Sequence, residues 1–154
     1  MTKTLAIEQE CLYSVFGIYN LLLKSLEKVF VPYNISASKF NILMVIKHQA
    51  SSDGISQVDI CSKLIVGEAN IAKITNKLYE QGYITRNVNQ KDRRYNLLKI
   101  TKKGSDLLDE IWPKYIDKIG KLTEDLNEKD KKILLKITKN WTESLKKKGL
   151  EEID

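Results

Sequence analysis

Apolar residues recur at three- and four-residue spacing from Leu12 through Val15, Phe16, Tyr19, Leu22, Leu23 and Leu26, which predicts one stripe of a long helix. Pro32 and Asn34 end it. Ser36 or Ser38 is placed to cap a second helix carrying Phe40, Leu43, Met44 and Ile46, closed by the polar turn Ser51-Ser52-Asp53-Gly54. Ser56-Gln57-Val58-Asp59 has the form of a capping box and opens a short helix toward Leu64. After Ile65-Val66-Gly67, a further helix from Glu68 sets Ile71, Ile74 and Leu78 on one face and stops at Gly82, a residue suited to a left-handed cap. Two short helices joined by a tight turn predict a helix-turn-helix.

From Tyr83 to Thr101 the pattern changes to two short alternating runs, read as strands, joined by the polar tip Asn89-Gln90-Lys91-Asp92-Arg93-Arg94-Tyr95-Asn96. Thr101 then caps a helix with Leu107, Leu108, Ile111, Tyr115, Ile119 and Leu122 on its apolar side, and Pro113 is expected to bend it. Asn127-Glu128-Lys129-Asp130 starts a last helix through Ile133, Leu134, Ile137, Trp141 and Leu145. The expected fold class is mainly α with a small β wing. Its expected parts are an N-terminal helix over 1–35, a winged helix-turn-helix over 36–104 and C-terminal helices over 105–154.

Charge changes this picture from a fold to a function class. Residues 1–35 carry 3 Lys against 3 Glu, and 105–154 carry 11 Lys against 12 acids, whereas 36–104 carry 9 Lys and 3 Arg against 5 acids. The excess is confined to the middle third, as phosphate-backbone attraction requires, although a solvated basic face is the bland reading. Adjacent arginines at a hairpin tip add little to stability, since exposed ion pairs contribute roughly 0–1 kcal/mol. Recognition of nucleic acid explains them better. Two cysteines, Cys11 and Cys61, are too few for a disulfide framework, and no apolar run approaches a membrane span, so a cytoplasmic protein is expected. A single histidine, His48, and the absence of a P-loop, nucleophile elbow or HExxH motif argue against a metal sensor, a cofactor and an enzyme.

The order of elements, and most specifically Gln81-Gly82-Tyr83-Ile84-Thr85-Arg86, Asp92-Arg93-Arg94 and Ile100-Thr101-Lys102-Lys103-Gly104, resembles the MarR family of winged helix-turn-helix transcription regulators. The resemblance covers almost the whole chain. It implies a homodimer with intertwined terminal helices, whose two recognition helices enter successive major grooves of a pseudo-palindromic operator in double-stranded DNA. Apolar terminal stripes of near-zero charge are compatible with such an interface, the alternative being that they close a monomeric core. In the wing, the family places an arginine in the minor groove steadied by an aspartate. By position these are Arg94 and Asp92, with Arg93 and Lys91 reaching phosphates. Two residues depart from the family pattern: Ile65 replaces a usual glycine, and Glu68 stands where a basic or polar residue is common.

The outward side of the recognition helix is expected to be Glu68, Ala69, Asn70, Ala72, Lys73, Asn76 and Lys77. Asn70 suits adenine and Lys73 suits guanine acceptors or a phosphate, while Asn76 and Lys77 suit phosphates. Ser56 and Gln57 begin a helix whose free backbone donors favour a phosphate. Relatives of this type release DNA when a small aromatic ligand fills a crevice beside the dimer helices, for which Tyr13, Phe16, Tyr33, Phe40 and Met44 are the candidates. Aromatics at helical spacing are more often core. Cys11 lies where a peroxide-sensing branch has its reactive cysteine, but Ser25 and the residues around Ser36 and Ala37 stand where that branch has tyrosines. A buried inert thiol is therefore the favoured reading and oxidation the alternative. The expected function is a sequence-specific DNA-binding regulator, a repressor modulated by an aromatic ligand or by oxidation. The alternatives are a winged-helix module that docks on protein without specific DNA binding, and a helical carrier of an aromatic molecule.

Overall fold

The computed structural model describes residues 6–64, 67–90 and 92–149. Along the chain run α1 (Ile7–Phe30), a single 3-10 turn (Val31–Tyr33), α2 (Ala37–Gln49), β1 (Ile55–Ser56), α3 (Gln57–Leu64) and α4 (Glu68–Glu80). There follow β2 (Ile84–Val88), β3 (Asn96–Ile100), α5 (Lys102–Leu122) and α6 (Glu128–Lys147). The helix α1 starts at Ile7, ahead of the apolar stripe, and is followed by a turn with Pro32 at its start and Asn34 in the left-handed region at φ 52°.

Ser36, not Ser38, caps α2, its hydroxyl oxygen accepting the Lys39 backbone N–H at 3.3 Å. This helix is the centre of the core: Ala37, Phe40, Ile42, Leu43, Val45 and Ile46 are all buried. Around it lie Phe30 of α1, Ile60 of α3, Ile71 and Leu78 of α4, Ile84 and Leu98 of the sheet, and Leu108 and Ile111 of α5. Phe40 is 1% exposed and packs against Phe30 and Tyr115 with ring centroids 4.7 and 4.8 Å away. It is a core residue and does not line a ligand crevice, which corrects the expectation for this position.

The three strands are antiparallel in the order β1-β3-β2. Ile55 faces Leu98 and Ser56 faces Leu97 on one side of β3, while Ile84 faces Ile100 and Arg86 faces Leu98 on the other. A two-residue strand is too short to produce an alternating pattern, so β1 was not expected. The Ser56–Asp59 box also differs in detail. Ser56 Oγ accepts the Asp59 N–H at 3.1 Å, but its hydroxyl donates to Asp59 Oδ2 at 2.7 Å, so the acid is taken by the serine side chain.

One junction fixes the wing to the helices on either side. After α4, Gly82 adopts φ 72°, with Gly82 N–H donating to Tyr79 O at 2.9 Å and Tyr83 N–H to Leu78 O at 3.0 Å. This paired closure of a helix end needs a residue free to take positive φ. Thr101 N–H donates to Tyr83 O at 3.0 Å, the Thr101 hydroxyl donates to Gly82 O at 2.8 Å, and Thr101 Oγ1 accepts Gly104 N–H at 3.1 Å. A side chain at Gly104 would strike the Tyr83 carbonyl and come within 2.9 Å of Ile100 Cγ1. Two of the three segments that carry the family resemblance, 81–86 and 100–104, therefore meet at one crossing of backbone.

The helix α5 continues through Pro113 from Lys102 to Leu122. The helix α6 has no buried residue, and Ile133, Leu134, Leu135 and Ile137 are exposed on it. On α1, Ile7, Tyr13, Phe16, Ile18, Tyr19 and Leu21 are likewise exposed, Leu21 at 71%. No single helix among the described residues is long and apolar enough to cross a membrane, and the bent pair of α1 with α2 that passes by composition includes the core helix itself.

Candidate nucleic-acid interface

The sequence of α4 divides it cleanly. Ile71, Thr75 and Leu78 are buried and Ile74 is partly so, while Glu68, Ala69, Asn70, Lys73, Asn76 and Lys77 are exposed and Ala72 is half-buried. Thr75 is the residue that pattern reasoning missed, because a polar side chain does not register in an apolar stripe. Its hydroxyl donates to Ile71 O at 2.9 Å and accepts Gln57 Nε2–H at 2.7 Å. Gln57 thus turns its side chain inward and ties α3 to α4. Its amide is not aimed at solvent, and the Ser56 hydroxyl is already bound to Asp59.

The wing tip is held by an ion pair. Arg94 Nη2 lies 2.8 Å from Asp92 Oδ2, Arg94 Nε lies 3.0 Å from Oδ1, and the Arg94 backbone N–H donates to Oδ1 at 3.1 Å. The Arg94 side-chain bonds, then its backbone N–H, hold the Asp92 carboxyl below the usual carboxylate range. The reciprocal bond raises the already high value of Arg94. The Asp92 side chain is 34% exposed and that of Arg94 is 81% exposed, so the acid anchors an arginine presented to solvent. Such a fork geometry orients a guanidinium more than it stabilises the fold. Arg93 is exposed beside it, and Lys91 lies outside the described residues.

A second arginine, the last residue of the 81–86 segment, faces α4. Arg86, on β2, donates from Nη2 to Asn76 Oδ1 and lies over the Tyr79 ring at 5.1 Å to the centroid. The α4 end is also held by Lys39 Nζ, which donates to Gln81 Oε1 at 2.8 Å. Burial, with the charge of Lys77 in addition, lowers the Lys39 ammonium from its usual value.

The five residues expected to line one ligand crevice occupy separate settings. Tyr13 and Phe16 are exposed on α1, and Phe40 is in the core. Tyr33 is half-buried, with its hydroxyl 2.5 Å from Lys114 Nζ. Of the five, Met44 lines a cavity of about 450 Å³ between α2 and α5, with Lys47, His48, Leu108, Asp109 and Trp112. Across it Lys47 Nζ pairs with Asp109 Oδ1 at 2.6 Å, and this bond holds the Asp109 carboxyl below its usual range. Cys11 is exposed on α1, contrary to the favoured reading of a buried thiol. Cys61 is half-buried, and burial followed by the Glu68 charge raises its thiol. Among the described residues no group of three His, Cys, Asp or Glu side chains is arranged to hold a metal ion.

A family model described as a winged helix DNA-binding domain matches residues 35–104. The HTH-type transcriptional repressor YetL of Bacillus subtilis (strain 168) is 24% identical over 136 residues, which is 88% of this chain and 81% of that protein. Among solved structures, a cysteine-to-serine mutant of MarR from E. coli complexed with operator DNA superposes with a TM-score of 0.75 at 21% identity, covering 83% of this chain and 90% of that one. CouR from Rhodococcus jostii RHA1 bound to p-coumaroyl-CoA gives a TM-score of 0.74 at 18% identity, covering 92% and 95%. The domain match, the curated regulator and the shared fold agree with the geometry of α4 and the wing: residues 35–104 match a winged helix DNA-binding domain, and the chain is similar to HTH-type transcription regulators and shares the fold of MarR.

Proposed function

We propose that the chain acts in the cytoplasm as a homodimeric repressor that grips a pseudo-palindromic operator. In this reading α4 enters the major groove, where Asn70 and Lys73 read base edges and Lys77 meets the backbone. Arg94 enters the minor groove, whose width and potential it senses, while Arg93 and Lys91 meet adjacent phosphates. Glu68 at the helix start either accepts from a cytosine amino group or limits unselective attraction. The single observation that carries the reading is the Asp92–Arg94 fork, an ion pair too exposed to serve the fold and shaped to present one guanidinium. The name of YetL as a repressor and the MarR complex with operator DNA support it.

Dimerisation is supported by the apolar side chains that α1 and α6 leave uncovered in one chain. For the effector, the cavity beside Met44 and Trp112 offers an apolar wall, with Lys47 as the cation for a carboxylate. A small aromatic acid seated there competes with Asp109 for Lys47, and the CouR complex shows a coumaroyl ligand on this fold. The exposed Cys11 is a second, oxidative input.

Selecting bound duplexes from a random pool tests the reading. The chain should retain one two-fold symmetric site, with affinity that falls steeply with salt and greatly exceeds that for random duplex. Weak, unselective binding would instead favour a protein-docking module. Repeating the selection with aromatic acids, and with peroxide on the parent and Cys11→Ser proteins, separates the two inputs.

A further inference from the structure

Two elements that read DNA in the proposed function, α4 and the wing, are bridged by a side chain in addition to the backbone junction at Gly82 and Tyr83. Arg86 stands on β2, the outer strand of the β1-β3-β2 sheet, and reaches across to the C-terminal half of α4. Its Nη2 donates to Asn76 Oδ1, and its guanidinium lies over the Tyr79 ring at 5.1 Å. Its Nε is buried and has no hydrogen-bond partner. A guanidinium that only served as a surface cation would turn Nε to water. The bond to Asn76 and the contact with the Tyr79 ring instead hold the group against α4.

Asn76 gains an orientation from the same contact. Its amide oxygen is occupied by Arg86, which leaves the NH2 end of an exposed side chain as the free donor. A donor is the polarity that a phosphate oxygen accepts.

We infer that Arg86 is a positioning residue for operator reading: it sets the angle between α4 and the wing and fixes the donor face of Asn76, without itself touching DNA. The inference rests on the operator reading above. Lysine cannot substitute, because an ammonium has no planar face to lie on Tyr79 while donating sideways to Asn76.

The test measures binding of the selected operator and of a random duplex across a salt series for the parent, Arg86→Ala, Arg86→Lys and Asn76→Ala proteins, and for the Arg86→Ala/Asn76→Ala double variant. Arg86→Ala should lose about 5- to 150-fold of operator affinity, the scale of one misplaced base contact. The slope of log K against log salt should stay at the parent value, and random-duplex affinity should fall less than operator affinity. Arg86→Lys should behave like the alanine variant, and the double variant should lose less than the sum of the two single losses. A partly unfolded protein would lower both affinities equally and leave their ratio unchanged, so the ratio distinguishes positioning from damage. A slope reduced by about 0.9 in Arg86→Ala would make Arg86 a direct phosphate contact and overturn the inference. Full recovery in Arg86→Lys would do the same. A parent protein with no preference among duplexes defeats both readings, whereas a selective parent with an equally selective Arg86→Ala variant defeats only this one.

Discussion

Gly104→Ala should destabilise the protein, although alanine is the better helix former and Gly104 lies in the first turn of α5. The added carbon would strike the Tyr83 carbonyl oxygen, approach the Tyr83 carbonyl carbon to 3.2 Å and reach Ile100 Cγ1 at 2.9 Å. The obstacle is backbone, which cannot swing aside as a side-chain tip can. Overpacking of this kind costs about 1–3 kcal/mol. Shifting Tyr83 also weakens the 3.0 Å bond from Thr101 N–H to its carbonyl, a further loss of about 0.5–1.5 kcal/mol. Against these stands a helix-propensity gain of at most about 1 kcal/mol. The net is roughly 1–3 kcal/mol, which lowers Tm by about 2–12 °C in a chain of this length. Gly120 supplies the internal control, since it lies in the same helix with nothing within 4 Å of an added carbon. Gly120→Ala should raise Tm. Thermal unfolding of both variants and the parent at one protein concentration, followed by circular dichroism, decides the matter; the concentration is matched because association itself raises Tm. A Gly104→Ala protein that melts at or above the parent would refute the reasoning.

Arg94→Ala should weaken operator binding strongly and reduce the salt slope by about 0.9 if the guanidinium displaces one counterion, while sedimentation shows the same oligomer as the parent; unchanged affinity in a gel-shift titration rejects the assignment. Thr75→Val keeps the shape but removes the partner of the Gln57 amide, so stability should fall by about 1–2 kcal/mol in a urea titration, and an unchanged midpoint would mean that the bond contributes nothing. Asp92 is a group whose folded value is depressed, so the contribution of its fork to the wing is complete above the unfolded value of about 3.9 and is lost as pH falls through the lower folded value. A carboxyl-carbon NMR titration of Asp92 should therefore show its midpoint below that of an ordinary aspartate, and a midpoint at or above it contradicts the fork.

Elements with long apolar periods were legible from sequence, as α1, α5 and α6 illustrate, because one apolar face repeats at helical spacing over many turns, whether the chain buries part of it, as on α5, or leaves it uncovered, as on α6. The wing was legible for a different reason: its strands alternate, and Asp92 and Arg94 sit two residues apart where a turn brings them together. What periodicity could not give were contacts that join distant segments. Gln57 and Thr75 are 18 residues apart, and Arg86 and Asn76 belong to different element types, so neither pairing leaves a trace in local pattern. Phe40 could be read either as core or as a crevice residue because α2 is buried on several faces and offers no polar side from which to infer orientation. The ligand set scattered for the same reason, since aromatic residues carry no mark that separates a cavity wall from a core.

The two rungs that join Ile55 and Ser56 to Leu98 and Leu97 stitch the entrance of α3 to the middle strand of the wing. With β2 laced to the other edge of that strand, the entrance of α3 and both wing strands share one sheet. In the proposed homodimer, a displacement that reaches the entrance of α3 is carried with it into the wing, so what it changes is the span of two such wings along the duplex.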